Sequence, residues 1–208
     1  MTQSGLFDSP KYKSLDEALA AIRGLKDDPL ANAGTNIVIS RGNPKAKLLL
    51  VGEAPGPQEN IKGKPFVGPA GQLLDKILQA GEFDPENDVY ITNSVFRMPP
   101  GENGANFRKP NDKEIEYYRP FVFEIIRLID PLIVLMTGNV ACQSILQKTG
   151  ITTLRGKWTE MDGRWLMPIF HPSYLLRNQS REPGSPKSLM WEDIREVKRK
   201  YNELSKKA

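Results

Sequence analysis

Short apolar runs alternate with amphipathic stretches along the chain. Four of these runs are typical of buried strands, because each is short, largely apolar and ends at a polar residue or a glycine. Pro168 lies inside the last run, and it predicts an edge position because proline cannot donate to a strand ladder. A brief apolar run at Ile37–Ile39 indicates a further minor strand. The four main runs are Leu48–Val51, Asp88–Thr92, Pro131–Thr137 and Trp165–Phe170.

A helical pattern follows the first strand. After a loop rich in glycine and proline, Pro69 suits a first helical turn, and Gly81 suits the position after a last turn. The sequence therefore predicts a strand, a loop and a helix in succession. The loop contains neither GxxxxGK[ST] nor GxGxxG, so it is not a phosphate-binding loop of those kinds. The apolar residues that share one helical face are Ala70, Leu73, Leu74, Ile77 and Leu78.

Other helix starts are marked by side chains that can cap a first turn. Ser14 and Glu17 form the S-x-x-E pattern of a capping box. Asn111 and Glu114 form a second such pair. A last helix is predicted over about Ser188–Leu204.

The alternation of strands and helices predicts right-handed parallel crossovers. We therefore expect an α/β fold with three layers, in which a doubly wound, mainly parallel central sheet of about four strands has helices on both faces. The 208 residues suffice for one domain with a sizeable core. We expect a single domain over residues 1–208, with an N-terminal helix and an irregular extension in residues 1–34.

Polar side chains follow the predicted strands at the points where the strands end. Glu53 comes after the first strand, Asn93 after the second and His171 after the last. Because parallel strands present their carboxyl ends at one edge of a sheet, we expect these three side chains to lie in one crevice. Phe66, from the first loop, is expected beside them. A carboxylate, an amide, an imidazole and an aromatic ring would then converge there.

The composition narrows the class of protein. Hydrophobic residues make up 39% of the chain and charged residues 26%, which is typical of a soluble globular protein. No apolar stretch approaches the roughly 20 residues of a membrane span, and the N-terminus lacks the apolar core of a secretory signal. We therefore expect a cytoplasmic protein, associated with the nucleoid if it is bacterial, with no membrane partner.

Cysteine, histidine and charge restrict the chemistry. The chain has one cysteine, Cys142, and one histidine, His171, so imidazole chemistry must use His171. Cys142 cannot form an internal disulfide, or a zinc or iron–sulfur site with other cysteines.

The net charge of the chain is +4. Residues 171–208 hold nine Lys and Arg against five Asp and Glu, and this difference of +4 equals the net charge of the whole chain. Such a basic segment suits a phosphate-rich partner, with a solvated surface as the ordinary alternative.

Four segments resemble the uracil-DNA glycosylase superfamily, and most closely its family 4. Their order and spacing are kept over about residues 35–204, and the motifs RGKW and WED near the end also fit. The resemblance implies a DNA repair glycosylase that flips uracil out of DNA and hydrolyses the N-glycosidic bond, with free uracil and an abasic site as products. The segments are Gly52–Gly56 (GEAPG), Gly63–Leu74 (GKPFVGPAGQLL), Tyr90–Asn93 (YITN, with Pro99 and Pro100 after it) and His171–Asn178 (HPSYLLRN).

The resemblance implies catalytic roles for Glu53, Asn93 and His171. Neutral His171 would donate to the negative charge that forms on uracil O2 as the bond breaks. Glu53 would position water or stabilise positive charge on the sugar. Asn93 would read the uracil edge, since its amide can accept from N3–H and donate to O4, whereas cytosine presents the reverse pattern.

The same resemblance implies a uracil-binding pocket. Phe66 would stack on the flipped base, and Glu59 would crowd the C5 position where thymine carries its methyl group. Backbone groups of the GEAPG segment would line the remaining wall. The implied uracil-binding residues are Gly52, Ala54, Pro55, Gly56, Glu59, Phe66 and Asn93.

The segment after His171 is implied to contact DNA. Leu175 or Leu176 would wedge into the base stack, as apolar side chains do in minor-groove binders. Arg177 would hold a phosphate, which positions the protein without specifying sequence. The implied DNA-binding residues are Ser173, Leu175, Leu176, Arg177 and Asn178.

The chain departs from family 4 in its cysteines. Members of that family resemble one another in four cysteines that bind a 4Fe–4S cluster. Arg97 and Tyr118 stand where two of these would be, residues 25–36 hold neither of the others, and Cys142 matches none. We therefore expect no cluster, no metal and no other cofactor.

Two other functions stay open at this point. One is a catalytically weak or repurposed superfamily member that binds damaged or single-stranded DNA. The other is an α/β enzyme that acts on free nucleobases or nucleotides. Release of uracil from a labelled oligonucleotide, compared with release from deoxyuridine, would discriminate between them. We expect uracil-containing DNA as the partner and a monomeric protein.

Overall fold

The computed structural model describes residues 12–101 and 107–206. Within these ranges, eight α-helices flank a sheet of six strands. The strands are β1 (Ser40–Gly42), β2 (Leu48–Gly52), β3 (Val89–Asn93), β4 (Ile133–Thr137), β5 (Thr159–Met161) and β6 (Arg164–Ile169). The helices are α1 (Leu15–Arg23), α2 (Pro57–Lys62), α3 (Pro69–Ala80), α4 (Asp112–Ile129), α5 (Gly138–Leu146), α6 (Ile151–Leu154), α7 (Pro172–Arg177) and α8 (Pro186–Ser205).

The strands of the described ranges lie in the order β1-β3-β2-β4-β6-β5. The four central strands are parallel, whereas β1 is antiparallel to β3 and β5 is antiparallel to β6. The predicted α/β class, with a central sheet flanked by helices, is confirmed. The prediction of about four strands is wrong, because the described chain forms six and the sheet is mixed.

The two edge strands explain that error. Each has three residues, too few for an apolar alternation to repeat. β1 lies just after the run that indicated a minor strand. β5 joins β6 through Asp162 and Gly163, which have positive φ angles of 49° and 76°. An Asp-Gly pair is a strong hairpin signal, so this turn could have been found in the sequence.

Pro168 lies in β6, which is next to the edge strand and not at the edge itself. The prediction of an edge position is therefore wrong for the strand as a whole. However, β5 pairs only with residues 164–166 of β6. At the level of Pro168, a loop replaces the neighbouring strand, and the Gly156 N–H donates to the Pro168 carbonyl at 2.9 Å. No strand on that side therefore needs the backbone N–H that proline lacks.

Alternate residues of β2 face opposite sides of the sheet. Leu48 and Leu50 belong to an apolar cluster with residues of α3 and α8, while Leu49 and Val51 belong to a second cluster with residues of α1, α4 and α5. Helices therefore cover both faces and give three layers. Burial of each such leucine or valine stabilises the fold by about 1.5–3 kcal/mol.

The predicted helix starts are confirmed. Ser14 Oγ accepts from the Glu17 N–H at 3.2 Å, and Asn111 Oδ1 accepts from the Glu114 N–H at 3.0 Å. The predicted helix between Pro69 and Gly81 is α3, and the predicted last helix is α8. The helices α2, α6 and α7 were not predicted, because four to six residues are too few for a 3.6-residue period to show.

A buried polar network, here the Asp28 network, ties the segment after α1 to the core. Asp28 is 4% exposed, and its carboxylate accepts from Arg97 Nε at 3.0 Å and from the Tyr118 hydroxyl. Arg97 also donates to the backbone carbonyls of Thr35 and Leu25. Burial, together with the neighbouring carboxylate, raises the pKa of Tyr118 far above its usual range. The network therefore joins three distant parts of the chain.

Candidate active site

A cleft of about 620 Å³ lies at the carboxyl edge of the central strands. Glu53 follows β2, Asn93 ends β3, Gly138 follows β4 and His171 follows β6, and all four line this cleft. Phe66, from the loop between α2 and α3, lines it as well. The parallel topology thus brings the four residues predicted to converge, and Gly138, to one place.

Gly52 permits a close approach at the base of the cleft. A Cβ atom at this position would lie 2.3 Å from Asn93 Oδ1 and 2.5 Å from Phe66 Cε2. The register pairs Gly52 with Asn93 across β2 and β3. The amide and the ring therefore both pack against the Gly52 backbone, and any side chain there would displace them.

Phe66 is held in a strained backbone conformation. Its φ angle is 54°, in the left-handed region that bulky residues rarely occupy. The side chain is buried, and its ring centroid lies 5.9 Å from that of His171 with an interplanar angle of 32°. Strain of this kind persists only where the surrounding structure enforces it, and it is found most often at ligand sites.

His171 is a neutral donor. The Ser173 N–H donates to His171 Nδ1 at 3.2 Å, and Ser173 Oγ lies 2.8 Å from the same nitrogen. Because a backbone N–H can only donate, Nδ1 accepts, and the neutral ring carries its proton on Nε2. Burial, with the positive charges of Arg177 and Lys109, lowers the pKa of His171 to about 4. The imidazole is therefore uncharged at neutral pH.

Burial and nearby charges shift the pKa of the Glu53 carboxyl group in opposite directions. Burial raises the pKa of its carboxyl group, while the nearby charges of Lys109 and Arg177 act to lower it. The raised pKa shows that burial is the larger effect. The carboxylate therefore sits in a poorly solvated position within the influence of two cations, which suits a group that must respond to charge developing on a ligand.

Asn93 is 2% exposed, yet it lines the cleft. In the described part of the chain, no protein group forms a hydrogen bond with its side-chain amide. Its donor and acceptor are therefore available to a molecule in the cleft.

Glu59 closes the loop between α2 and α3. Its carboxylate accepts from the backbone N–H groups of Gly56 at 3.1 Å, Val67 at 2.9 Å and Gly68 at 2.7 Å. These bonds tie the start of α2 to the end of the loop that carries Phe66. Glu59 also lines the cleft, as do Ala54 and Gly56.

Some residues predicted to bind the base do not line the cleft. Pro55 is buried outside its walls, and Gly52 lies beneath Asn93 and Phe66. Gly52 therefore shapes the cleft indirectly by leaving room for its neighbours. The wall predicted for the whole GEAPG segment is formed by Glu53, Ala54 and Gly56.

The α7 helix corrects one DNA-binding prediction. Leu175 is 1% exposed and belongs to the core, whereas Leu176 is 38% exposed. Consecutive helical residues point about 100° apart, so only one of the two can face solvent. The prediction of a wedge role for Leu175 is wrong. Ser173 and Arg177 line the cleft, while Asn178 uses its side-chain amide to cap Tyr174 O at 2.8 Å.

One wall of the cleft was missed by sequence reasoning. Phe107, Arg108 and Lys109, from the loop between β3 and α4, line it. Phe107 is 54% exposed, and Arg108 bonds to Glu114 at 2.6 Å, whereas the side chain of Lys109 has no ion-pair partner among the described residues. The available signal was their place in the long loop that follows β3, a strand that ends at the cleft.

The residues present do not fit the iron–sulfur cluster that the family 4 resemblance implies. Cys142 is fully buried in an apolar cluster, and burial raises the pKa of its thiol to about 12. Arg97 and Tyr118, at two of the implied cysteine positions, both bond to Asp28. Among the described residues, no three His, Cys, Asp or Glu side chains form a group that could hold a metal ion.

The fold and the cleft agree with the comparison to known proteins. The chain belongs to the uracil DNA glycosylase superfamily, whose family model matches residues 39–195. It is 37% identical over 173 residues to a Type-4 uracil-DNA glycosylase of Thermotoga maritima, which is 82% of this chain and 85% of the relative. An Archaeoglobus fulgidus protein of the same name is 36% identical over 181 residues, which is 82% of this chain and 87% of that relative.

A third relative extends over slightly more of the chain. The Type-4 uracil-DNA glycosylase of Sulfurisphaera tokodaii is 31% identical over 194 residues, which is 89% of this chain and 84% of the relative.

In the ranges that the structure describes, no helix has both the length and the apolar character needed to cross a membrane.

Proposed function

We propose that this chain is a monofunctional uracil-DNA glycosylase that acts in DNA repair. It would flip uracil out of DNA and hydrolyse the N-glycosidic bond, leaving free uracil and an abasic site. The observation that carries the proposal is the neutral imidazole of His171 facing the same cleft as the ring of Phe66 and the free amide of Asn93. The membership of the superfamily and the names of its relatives support it.

Recognition of the base would precede its removal. Extrusion from the stack costs a few kcal/mol, which stacking on Phe66 would partly offset. Asn93 would accept from uracil N3–H and donate to O4, using the donor and acceptor that lack protein partners in the described chain. Cytosine would leave both groups of Asn93 unpaired in a buried site, which gives selection against it.

Bond cleavage would then depend on two groups. Nε2–H of His171 would donate to uracil O2 as negative charge develops there, which stabilises the transition state more than the ground state. Glu53 would stabilise the positive charge of the sugar or position the attacking water. Lys109 and Arg177 support both roles, because their charges oppose protonation of His171 and favour the ionised form of Glu53.

The walls of the cleft would hold the DNA. Leu176 is the exposed leucine of α7 and would fill the gap left by the flipped base. Arg177 and Lys109, which both line the cleft, would contact phosphates, with Ser173 and Asn178 nearby. Glu59 would limit the space at C5 by holding the loop that bears Phe66. We further propose a monomer that acts without a cofactor in the cytoplasm, and at the nucleoid if the source is bacterial.

Uracil release from a labelled duplex tests the proposal. Purified protein is incubated with duplexes that contain uracil, a thymine mismatch, hypoxanthine or cytosine, and with free deoxyuridine, in the presence of chelator. Among the three pyrimidine duplexes, we expect an abasic site only in the one that contains uracil, and we expect no release from deoxyuridine. Binding to the uracil duplex without release would support the repurposed DNA-binding alternative instead.

Two substitutions separate the proposed roles. His171→Ala is expected to lower the single-turnover rate by roughly 10²–10³, the usual loss of one preorganised donor, with little change in DNA affinity. Asn93→Ala is expected to weaken both uracil-specific binding and the rate, because Asn93 meets the base before the bond breaks. Uracil release by His171→Ala at the wild-type rate would show that the imidazole is not catalytic.

A further inference from the structure

The backbone around Phe66 is held from several directions. Beyond Phe66, Glu59 accepts from the N–H groups of Val67 and Gly68. On the α3 side, a Cβ atom at Gly71 would lie 1.9 Å from the Phe66 carbonyl oxygen, so the helix backbone packs directly on that peptide. These contacts accompany a φ angle of 54° that would be unfavourable without support.

A residue outside the cleft completes this support. Arg41, on edge strand β1, donates from Nε to the carbonyl oxygen of Pro65 at 3.0 Å and from Nη2 to that of Phe66 at 3.5 Å. Its side chain is 6% exposed. The guanidinium also pairs with Asp75 of α3 and, at 2.8 Å, with Glu86. All three of its nitrogens are therefore engaged.

A second pocket, of about 300 Å³, also touches Phe66. It is lined by Arg41, Lys64, Phe66, Val67, Gln72, Asp75 and Glu86. Packing alone therefore does not fill the space beside the loop. The bonds of the Arg41 side chain join the loop to α3 and to the segment before β3.

We propose that Arg41 is a positioning residue for base recognition, which acts by holding the Pro65–Phe66 backbone so that the Phe66 ring stays over the cleft. This proposal rests on the proposed function, since it assigns the purpose of the ring to stacking on uracil. Arg41 does not line the cleft, so its effect on uracil must pass through Phe66.

The geometry of the guanidinium matters as well as its charge. Arginine offers five donors in a planar fork, which can serve two carbonyls and two carboxylates together. Lysine offers a compact ammonium that can retain the charge but not this set of bonds. Arg41→Lys is therefore expected to restore only part of what Arg41→Gln loses.

Arg119 provides a matched control. It is also partly buried and donates to two backbone carbonyls, those of Ser144 at 2.8 Å and Gln143 at 3.2 Å. These contacts join α4 to the end of α5, away from Phe66. Arg119→Gln thus removes the same kind of arginine clamp without touching the loop.

The first measurement is hydrogen exchange of the free protein at the amides of Val67 and Gly68. We expect faster exchange at these two amides in Arg41→Gln, a smaller increase in Arg41→Lys and no change in Arg119→Gln. Unchanged exchange in both Arg41 variants would overturn the proposal. If Arg41→Gln does not fold, Arg41→Lys alone decides. This measurement requires no substrate, so it holds even if the wild type releases no uracil and the proposed function fails.

The second measurement is a double-mutant cycle on the single-turnover rate of uracil release. We expect Arg41→Gln to lower the rate by up to about 100-fold, the loss produced by a misplacement of about 1 Å in an active site. In the Phe66→Ala background, Arg41→Gln is expected to have little further effect, because both changes act through one ring. Fully additive losses would show that Arg41 acts by another route and would contradict the proposal.

Discussion

His171 acquires its chemistry from neighbours on α7 and on the loop before α4. Ser173 fixes which ring nitrogen carries the proton, and Arg177 and Lys109 add positive charge beside a poorly solvated ring. An ordinary histidine would be partly protonated near neutral pH. Here the ring stays neutral and keeps its proton on Nε2. A hydrogen bond donated by Nε2–H becomes stronger as negative charge develops on the acceptor.

This neutral state predicts a dependence of stability on pH. The pKa of His171 is about 4 in the folded protein, against 6.5 for an ordinary histidine. Between these values the unfolded chain binds a proton that the folded protein does not, so stability falls as the pH drops from 6.5 to 4. Unfolding free energies of the wild type and of His171→Asn, measured over this range, isolate the effect. We expect the wild type to lose stability relative to the variant.

The variant serves as the control for all other titrating groups. Acidic residues contribute nearly equally to both proteins, apart from Glu53, which lines the same cleft. Above pH 6.5 the difference between the two proteins is expected to be constant. A difference that stays constant down to pH 4 would mean that His171 titrates normally and is not held neutral.

The helices and loops owe their positions to a few long-range contacts. The Asp28 network joins the segment after α1, the loop after β3 and α4 through a carboxylate with two donors. The family 4 resemblance implies cluster cysteines at two of these positions, those of Arg97 and Tyr118. Here a buried ion pair and a tyrosine hydroxyl occupy them, and they hold the same three segments together.

Removing Arg97 would leave the buried Asp28 charge without its partner. Arg97→Met is expected to lower the free energy of unfolding by about 3–5 kcal/mol, and an added Asp28→Leu is expected to recover part of the loss. Chemical denaturation of the purified proteins measures both. The exposed pair of Arg199 and Glu196 is the control, because Arg199→Met is expected to change the free energy of unfolding far less than Arg97→Met does.

Equal losses for the two arginines would mean that the Asp28 network contributes no more than a surface ion pair.

The iron content of the same preparations tests the expectation that the protein has no cluster. Stoichiometric iron with a visible absorption band would show that this expectation is wrong.

The charge of the molecule is distributed unevenly around the sheet. The helix α8 holds five Lys and Arg against four Asp and Glu, and two of its lysines pack on aromatic rings, Lys200 over Trp165 at 3.5 Å and Lys198 over Phe83 at 4.6 Å. Trp165 lies near the start of β6, whereas the cleft lies beyond its end, about 20 Å away at the usual rise per residue. Arg177 and Lys109 line the cleft itself.

This distribution predicts which cations govern the salt dependence of DNA binding. The logarithm of affinity falls with the logarithm of salt by about 0.9 for each neutralised phosphate on duplex DNA. Arg177→Ala and Lys109→Ala are each expected to reduce the slope by about that amount, on uracil-containing and normal duplexes alike. Fluorescence anisotropy at several salt concentrations measures the slopes.

Lys200→Ala is the control for the loss of a positive charge, and we expect it to leave the slope unchanged. If Lys200→Ala reduced the slope as much as Arg177→Ala does, the DNA would also contact the opposite end of the sheet. The assignment of the cleft as the DNA-binding surface would then be wrong.

The sequence alone was enough to predict the elements that depend on neighbouring residues. The apolar runs of β2, β3, β4 and β6, the periodicity of α3 and the capping pairs of α1 and α4 are local patterns, and each is present in the structure. Since parallel strands end at one edge, these patterns also predicted that Glu53, Asn93 and His171 would meet. The short motifs, in their order along the chain, likewise pointed to the superfamily.

Other features depend on residues far apart in the chain, and only the tertiary structure decided them. Which of Leu175 and Leu176 faces the core depends on how α7 docks, and Arg41 reaches Phe66 across 25 positions. The pairing of Asp28 with Tyr118 spans 90 positions. Such contacts leave no local periodicity, because the energy that selects them comes from burial, charge pairing and hydrogen bonding that exist only once the layers have packed.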